Sequence, residues 1–267
     1  MKFKLCDAKS LDIVKTFECG QCFRWNANDK GVYTGVVGRY LAEVETVDSA
    51  VYITSDAPAE MWADYFDLAT DYAAVSADFT GEYLHECIDY GMGIRILRQD
   101  SWEALCSFII SQCNNITRIK GIVERLCEQF GDKCEADGVG YYTFPSAERL
   151  AALRPSDLAG IRAGYRAEYI IAAARTVTTG ELDLDALKTC DYREAIKTLR
   201  QIRGVGEKVA NCVVLFGLYH MEAFPIDVWM KRALKEHFPA DFDPTSLGAY
   251  AGLAQQYIFY YSRSGGK

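Results

Sequence analysis

Two side chains in the second half of the sequence have the types and the surroundings that nucleophilic chemistry needs. Lys208 follows a glycine-containing turn and stands at the start of a helical pattern. The amine of a lysine can attack an electrophilic carbon and form a Schiff base. Asp227 follows a Phe-Pro-Ile segment, and we expect it to cap the next helix, which would fix the direction of its carboxylate. The pair predicts an amine nucleophile with a carboxylate partner.

The turn before Lys208 lies between two helical patterns. Apolar residues recur at helical spacing before the turn and again after it, up to Phe216. Glycine takes positive φ without a steric penalty, so the turn predicts a helix-hairpin-helix over residues 191–217. Unobstructed backbone N–H groups and the positive end of the second helix suit a phosphate. The phosphate-contacting residues would be Gly204, Val205 and Gly206.

Each of these features also has an ordinary structural explanation. A Gly-Val-Gly turn often only connects two helices, and a lysine after it is usually solvated. An aspartate at an N-cap is usually structural. The three features weigh more together than singly, and their combination favours a functional site.

Length and composition describe a large chain without a membrane segment. Its 267 residues, half of them hydrophobic, suffice for two or three subdomains that share a large core. No apolar run approaches the roughly 20 residues that span a bilayer, and the first residues lack the apolar region of a signal peptide. We therefore expect an intracellular protein whose 10 cysteines are reduced.

The net charge of −8 argues against a nucleic-acid partner, because phosphate binding depends on Lys and Arg. The distribution of charge changes this conclusion. Residues 1–93 carry 16 Asp and Glu against 7 Lys and Arg, whereas the remaining residues carry 21 against 22. A local basic face is enough to attract a polyanion, and the candidates for it are Arg154, Arg162, Arg166, Arg175, Lys188, Arg193, Lys197, Arg200, Arg203 and Lys208.

The elements that must position Lys208 and Asp227 are of two kinds. Four short aromatic and β-branched segments before residue 60 are separated by Asn, Asp and Gly turns and predict an antiparallel sheet: 21–25, 32–37, 40–44 and 51–54. After residue 92 helical patterns dominate, with short helices expected over 134–190. We predict an α+β protein with an N-terminal antiparallel β-sheet domain over 1–72, linker included, and a larger all-helical core over 73–267.

Three helices of the core are well defined by pattern. Asp100 and Glu103 have the spacing of a capping box and open one that continues through Ile110, and a second ends at Gly131. The polar segment 111–118 lies between them and by itself predicts only helix capping. A last helix over 246–260 places Gln255 and Phe259 on one face at i, i+4 spacing.

The Cys19-Gly20-Gln21-Cys22 segment has the C-x-x-C spacing of a zinc or redox site. No second C-x-x-C or histidine pair completes four zinc ligands, and the segment is not in a βαβ context. We therefore expect no metal site and no cofactor.

The pattern L-x-x-I-x-G-V-G-x-K-V-A-x-C, followed by P-I-D-V, resembles the helix-hairpin-helix DNA glycosylase superfamily and, within it, the 8-oxoguanine DNA glycosylase/lyase branch. The resemblance extends from Phe17 to Phe259 and includes the segments G-Q-x-F-R-W and S-F-I-x-S. It implies excision of 8-oxoguanine from duplex DNA, with Lys208 forming the Schiff base and Asp227 assisting. It also implies a monomer whose partner is DNA with oxidised guanine opposite cytosine, located in the cytoplasm or nucleoid if the source is bacterial.

The resemblance assigns four residues to the extruded base. The backbone carbonyl of Gly20 would accept a hydrogen bond from N7–H, the proton that 8-oxoguanine has and guanine lacks. Gln255 would bond the Watson-Crick edge, while Phe259 and Cys212 would enclose the ring.

A second group is implied for the duplex. Asn114 would fill the gap left by the base, Arg118 and Arg166 would contact the unpaired cytosine, and Tyr165 would wedge into the stack. The sequence departs from the family at Cys113, which replaces the first residue of an asparagine triplet, so we expect a weaker plug. It departs again at Trp229, where a phosphate-contacting histidine is usual in eukaryotic members, so that contact must be lost or replaced.

Three other functions were compared with this one. The iron-sulfur branch of the superfamily needs four cysteines near the C-terminus, and no cysteine follows Cys212, so that branch is disfavoured. An alkylated-base glycosylase also carries an N-terminal sheet but works without the lysine. A non-catalytic DNA-binding module would use the hairpin only to hold phosphates. The last two remain open alternatives, which borohydride trapping would separate from a lyase.

Overall fold

The computed structural model describes residues 1–265 as a five-stranded antiparallel sheet followed by a helical core. The sheet and its first helices comprise β1 (Lys2–Asp7), α1 (Ile13–Glu18), β2 (Trp25–Ala27), β3 (Tyr33–Val37), β4 (Tyr40–Val47), β5 (Ala50–Ser55) and α2 (Ala59–Tyr65). The strand order is β1-β5-β4-β3-β2. The predicted α+β class, with the sheet before the helices, is confirmed.

Eleven α-helices, two 3-10 helices and one small hairpin follow in the rest of the described chain. They are α3 (Tyr72–Ala77), α4 (Glu82–Gly91), α5 (Ser101–Ile110), α6 (Ile116–Phe130), β6 (Lys133–Ala136), β7 (Val139–Tyr142), α7 (Ala147–Ala151), α8 (Arg166–Thr178), α9 (Leu184–Leu187), α10 (Tyr192–Leu199), α11 (Glu207–Phe216), α12 (Val228–His237) and α13 (Ala251–Ser264). Two 3-10 helices, Pro155–Ile161 and Pro244–Tyr250, precede α8 and α13.

An aromatic cluster fills the space between the sheet and its helices. Trp25 and Phe17 stack with ring centroids 4.4 Å apart, and the Trp25 indole donates a 2.8 Å hydrogen bond to the Tyr65 hydroxyl. Trp25 also covers Gly35 of the neighbouring strand, where a β-carbon would come within 2.4 Å of the indole. A larger apolar cluster holds the helical core together. The clusters do not divide at residue 72, because Cys19 and Phe23 belong to the helical cluster and Leu97 to the sheet cluster. The domain boundary at residue 72 stays a prediction.

The sheet differs from its prediction at the segment before Trp25. Residues 21–24 are not a strand, and β1 and α1 were not anticipated. The reason is the side chain of Gln21, which is fully buried and bonds backbone rather than solvent. Its amide nitrogen donates to the Arg95 carbonyl at 2.7 Å, and its oxygen accepts from the Leu97 amide at 2.9 Å. Gln21 therefore joins the sheet to the segment that leads into α5.

Two further helical predictions were corrected in part. The β6–β7 hairpin occupies the start of the region expected to hold only short helices. The last helix begins at Ala251 rather than 246, because a 3-10 turn with Gly248 at φ 73° precedes it. It still carries Gln255 and Phe259 one turn apart.

The C-x-x-C cysteines are structural. Burial raises the pKa of Cys19 to about 11 and that of Cys22 well above its usual value, so both are thiols. Over residues 1–265 no group of three or more His, Cys, Asp or Glu side chains is placed to hold a metal ion. None of the helices described there is long and apolar enough to cross a membrane.

Candidate active site

The predicted helix-hairpin-helix is present between Asp191 and Gly217. Asp191 caps α10, and α11 begins after Gly206, which forms no side-chain cap. A β-carbon on Gly206 would meet nothing within 4 Å. The space beside Gly206 at the start of α11 is therefore open, which leaves room for the predicted phosphate.

Gly204 faces inward instead. Its φ is 87°, and a β-carbon there would stand 2.2 Å from a ring carbon of Tyr169 on α8. Val205 between the two glycines is buried and anchors the turn in the core. In this turn Gly204 and Val205 pack inward, and Gly206 borders open space.

Lys208 lies in the first turn of α11 and reaches across to α5. Its Nζ is 3.3 Å from the hydroxyl of Ser111 and 5.6 Å from the centroid of the Phe108 ring. Phe108 in turn meets Phe23 of the sheet segment edge-on, with centroids 5.8 Å apart. The amine is therefore held at the junction of the hairpin, α5 and the segment that follows Gly20.

Asp227 caps α12 as predicted. Its Oδ1 accepts hydrogen bonds from the backbone amides of Trp229 and Met230, both at 2.9 Å. Oδ2 has no hydrogen-bond partner in the described part of the chain. One oxygen fixes the carboxylate, and the other is left to interact with a positive charge.

Cys212 shows that these side chains converge. It is 3% exposed, and burial raises the pKa of its thiol. The positive charge of Lys208 opposes this shift, and the negative charge of Asp227 adds to it. The charges of Lys208 and Asp227 therefore both act on the Cys212 thiol.

The residues assigned to the base lie on two facing segments. A β-carbon on Gly20 would be 3.4 Å from the Phe259 ring and 3.6 Å from Ile116, so the Gly20 turn lies against α13. Gln255, on the same helix, is 4% exposed, and its Oε1 is buried without a hydrogen-bond partner. A buried amide oxygen without a donor is costly, and a base edge that carries N–H groups would satisfy it.

The helices that carry Gln255 and Cys212 lie side by side. Gly252 of α13 packs so closely on α11 that a β-carbon would come within 2.3 Å of Leu215. Because Gln255 and Cys212 are almost inaccessible, a base can reach them only if neighbouring side chains move. A cavity of about 800 Å³ lies elsewhere, against the linker residues Leu68 to Tyr72, and contains none of the predicted site residues.

The expected plug is a short loop between α5 and α6. Asn114 is half-buried and donates to the Ile110 carbonyl at 3.1 Å, while Asn115 caps α6. Cys113 is exposed at φ 47°, a left-handed conformation that asparagine tolerates better than cysteine. Arg118 extends from α6 into solvent.

Tyr165 and Arg166 are placed differently from each other. Tyr165 is 51% exposed, which suits a wedge and not a core residue. Arg166 is 3% exposed and donates to the backbone carbonyls of Ala163, Gln112 and Cys113. In the free protein Arg166 thus holds the plug loop from behind.

Half of the predicted basic face is paired with acids. Five of its ten members form ion pairs, Arg154 with Asp157, Lys188 with Asp185, Lys197 with Glu194, Arg200 with Glu207 and Arg203 with Glu168. Exposed pairs of this kind contribute little to stability and can exchange for phosphate. Near Asp227, the Arg232 guanidinium lies 5.4 Å from the ring of Trp229, the residue that stands where a phosphate-contacting histidine is usual. Arg232 therefore offers a cation at this place.

Sequence reasoning missed several residues that shape the site. Ser111 and Phe108 belong to the S-F-I-x-S segment, yet only the fold brings them to Lys208. Gln256 and Arg263 bond the backbone before Gly20, and nothing in their spacing indicated this. Glu103 was expected to complete a capping box, but its side chain turns instead to Arg24, 3.5 Å away.

Known proteins resemble this chain over most of its length. Residues 4–105 match the family model described as 8-oxoguanine DNA glycosylase, N-terminal domain. An N-glycosylase/DNA lyase of Arabidopsis thaliana, OGG1, is 29% identical over 93% of this chain and 76% of its own length. A DNA-3-methyladenine glycosylase of Bacillus subtilis is 32% identical over 71% of this chain and 68% of its own length.

A solved structure from Clostridium acetobutylicum superimposes with a TM-score of 0.90 at 35% identity, covering 97% of this chain and 94% of that one. It is an 8-oxoguanine glycosylase/lyase in complex with double-stranded DNA that contains cytosine opposite 8-oxoguanine. Residues 106–252 of the present chain, which include the hairpin and Asp227, match the model described as HhH-GPD superfamily base excision DNA repair protein. The chain belongs to this superfamily.

Proposed function

We propose that this protein is a bifunctional DNA glycosylase and abasic-site lyase that removes 8-oxoguanine from duplex DNA. The observation that carries the proposal is the position of the Lys208 amine, 3.3 Å from the Ser111 hydroxyl and one helical turn from the buried Cys212, beside a turn with open space at Gly206. The carboxylate of Asp227 is fixed at the start of α12 with one oxygen free in the described part of the chain. A monomer acting on double-stranded DNA is sufficient, because one chain supplies every group that the reaction needs. No cofactor is part of the proposal.

The chemistry follows from the positions of the amine and the carboxylate. A base inside a duplex is out of reach, so the nucleotide must first be extruded, at a cost of a few kcal/mol. The Lys208 amine attacks C1′, the C1′–N9 bond breaks, and the base leaves with the bonding electron pair and takes up a proton. The free Oδ2 of Asp227 faces the positive charge that develops on the sugar and stabilises it.

Strand cleavage follows from the covalent intermediate. Loss of a proton from the amine and opening of the sugar ring give a Schiff base between Lys208 and C1′. The imine acidifies the C2′ proton, and its removal expels the 3′ phosphate by β-elimination. With an aspartate alone, water would hydrolyse the glycosidic bond and the strand would stay intact. The lysine is therefore what predicts lyase activity.

The lesion would be recognised by groups on opposite sides of the extruded base. The Gly20 carbonyl accepts from N7–H, the unpartnered Oε1 of Gln255 accepts from the Watson-Crick edge, and Phe259 and Cys212 contact the ring faces. On the duplex side, Asn114 fills the gap, Tyr165 wedges beside it, and Arg118 with Arg166 contacts cytosine. Arg166 also donates to the Gln112 carbonyl in front of the plug residues and so supports that loop.

Borohydride trapping on a duplex with 8-oxoguanine opposite cytosine tests the proposal. The wild type should form a covalent adduct and cut the strand, and Lys208→Gln should do neither while still binding the duplex. The matched control is Lys2→Gln, which removes a lysine from an ion pair with Glu45 on the sheet, outside the reaction centre. DNA binding by the wild type without an adduct would instead support a non-catalytic module.

A glycosylase for alkylated bases is the second candidate, because a relative with that name is 32% identical. It predicts release of 3-methyladenine without an adduct. Release of that base faster than 8-oxoguanine by the wild type would favour it over the lyase.

A further inference from the structure

The turn that carries Gly20 is held by side chains to which the proposed reaction assigns no role. The Nε2 of Gln256 donates to the Cys19 carbonyl at 2.7 Å. Arg263 donates to the Glu18 carbonyl, and the Lys120 ammonium bonds the Glu18 carboxylate at 2.9 Å. Two helices, α13 and α6, thus hold two consecutive residues of the sheet domain, Glu18 and Cys19.

These bonds matter because Gly20 cannot hold its own carbonyl in place. Its φ is 82°, and it has no side chain to pack. The peptide plane before it is fixed by Gln256, through the Cys19 carbonyl. The residue after it, Gln21, is anchored by its fully buried side chain. The peptide before Gly20 is therefore bonded by a glutamine amide, and the residue after Gly20 is anchored by its own buried amide side chain.

Of these side chains, Gln256 is the one whose hydrogen bond is hardest to replace. It is 1% exposed, so water cannot replace its bond to Cys19. It is adjacent in sequence to Gln255, whose Oε1 has no partner. Consecutive residues of α13 therefore serve the two sides of the base, one by direct contact and one through the Gly20 turn.

We infer that Gln256 is a positioning residue for lesion recognition, which fixes the Gly20 carbonyl at the distance from α13 that one particular base requires. This inference rests on the proposed function. A single hydrogen bond to N7–H discriminates only if its acceptor is held to a fraction of an ångström. Excision of the base depends on that carbonyl, whereas cleavage at a site that has already lost its base does not.

The test compares two rates in the same preparation of Gln256→Met. One is single-turnover excision from a duplex with 8-oxoguanine opposite cytosine, and the other is incision of the same duplex carrying a preformed abasic site. We expect excision to fall about tenfold, the equivalent of one hydrogen bond, and abasic incision to change less than about twofold. Tyr257→Phe is the matched control, because it removes a buried hydroxyl of α13 that faces Ser76 at 3.3 Å. Neither rate should change in this control.

Equal loss of both rates in Gln256→Met, or loss of neither, would overturn the inference, as would the same selective loss in Tyr257→Phe. If circular dichroism indicates that Gln256→Met is unfolded, Arg263→Met decides, because it removes the bond to Glu18 from a less buried position and carries the same expectation. A wild type that neither excises 8-oxoguanine nor cuts the abasic site refutes the proposed function itself. A wild type that does both, with an unchanged ratio in the variants, refutes only the role of Gln256.

Discussion

Gly204 lies directly against the ring of Tyr169, where a β-carbon would stand 2.2 Å from Tyr169 Cγ. Tyr169 meets the ring of Tyr165 edge-on, with centroids 5.6 Å apart. Tyr169 thus joins the turn that we propose binds a phosphate to Tyr165, which we propose as the wedge. Gly206 faces open space instead.

The two glycines of the turn should respond differently to alanine. Gly204→Ala should lower the free energy of unfolding by about 2 kcal/mol or more, because the left-handed backbone and the Tyr169 ring both oppose a β-carbon. Gly206→Ala should cost about 1 kcal/mol or less but weaken DNA binding, because the methyl group covers the amides of α11. Thermal denaturation and a binding titration at constant salt measure these effects. Equal destabilisation by the two changes would contradict the division of roles.

Asp227→Asn separates the two tasks of this side chain. Asparagine is an equally good N-cap, so the fold should be unaffected. The negative charge is lost, and we expect base excision to slow by roughly 10²–10³-fold. Single-turnover kinetics with a parallel melting curve check this, and excision at the wild-type rate would show that Asp227 only caps α12.

Gln255→Leu should lower activity without lowering stability. The change removes a buried oxygen that has no hydrogen-bond partner, so the free energy of unfolding should stay level or rise by about 1 kcal/mol. Excision of 8-oxoguanine should fall, and incision at a preformed abasic site should not. Strong destabilisation in a denaturant titration would mean that Gln255 is a structural residue.

Cys113 and Arg118 should have opposite effects on the choice of opposite base. Cys113 is held at φ 47°, which asparagine adopts more readily, so Cys113→Asn should stiffen the plug and raise the preference for cytosine. Arg118→Ala should reduce that preference by about 1–3 kcal/mol. Excision rates from four duplexes, one for each base opposite 8-oxoguanine, give the answer. The same preference in both variants would exclude this loop from base selection.

Glu103 predicts a pH-dependent stability. Burial raises its pKa from 4.5 to about 7, although the Arg24 guanidinium opposes the shift. Because the folded state then holds the proton more tightly, this residue's contribution is present below pH 4.5 and is lost as the pH rises through about 7. Glu103→Gln should lower Tm, because Arg24 loses its carboxylate partner. It should also remove the loss of stability that Glu103 causes as the pH rises. Melting curves over the window compare the slopes, and parallel slopes for the two proteins would contradict the prediction.

Local pattern was sufficient wherever one short stretch carried the whole signal. The glycine turn, the helix that starts at Glu207 and the cap at Asp227 were all predicted, because helix periodicity and capping act over only a few residues. Periodicity failed at residues 21–24, where β-propensity suggested a strand. There the buried amide of Gln21 bonds backbone from a distant segment and overrides local preference.

The sequence by itself determined the hairpin, the helix that carries Lys208 and the cap formed by Asp227, since these depend on spacing along one chain segment. Only the tertiary structure decided what surrounds them. It brought Ser111 and Phe108 to Lys208 and set Gln256 against the turn that carries Gly20. Contacts between residues more than 90 positions apart depend on how α5, α11 and α13 pack, and no local pattern encodes that packing.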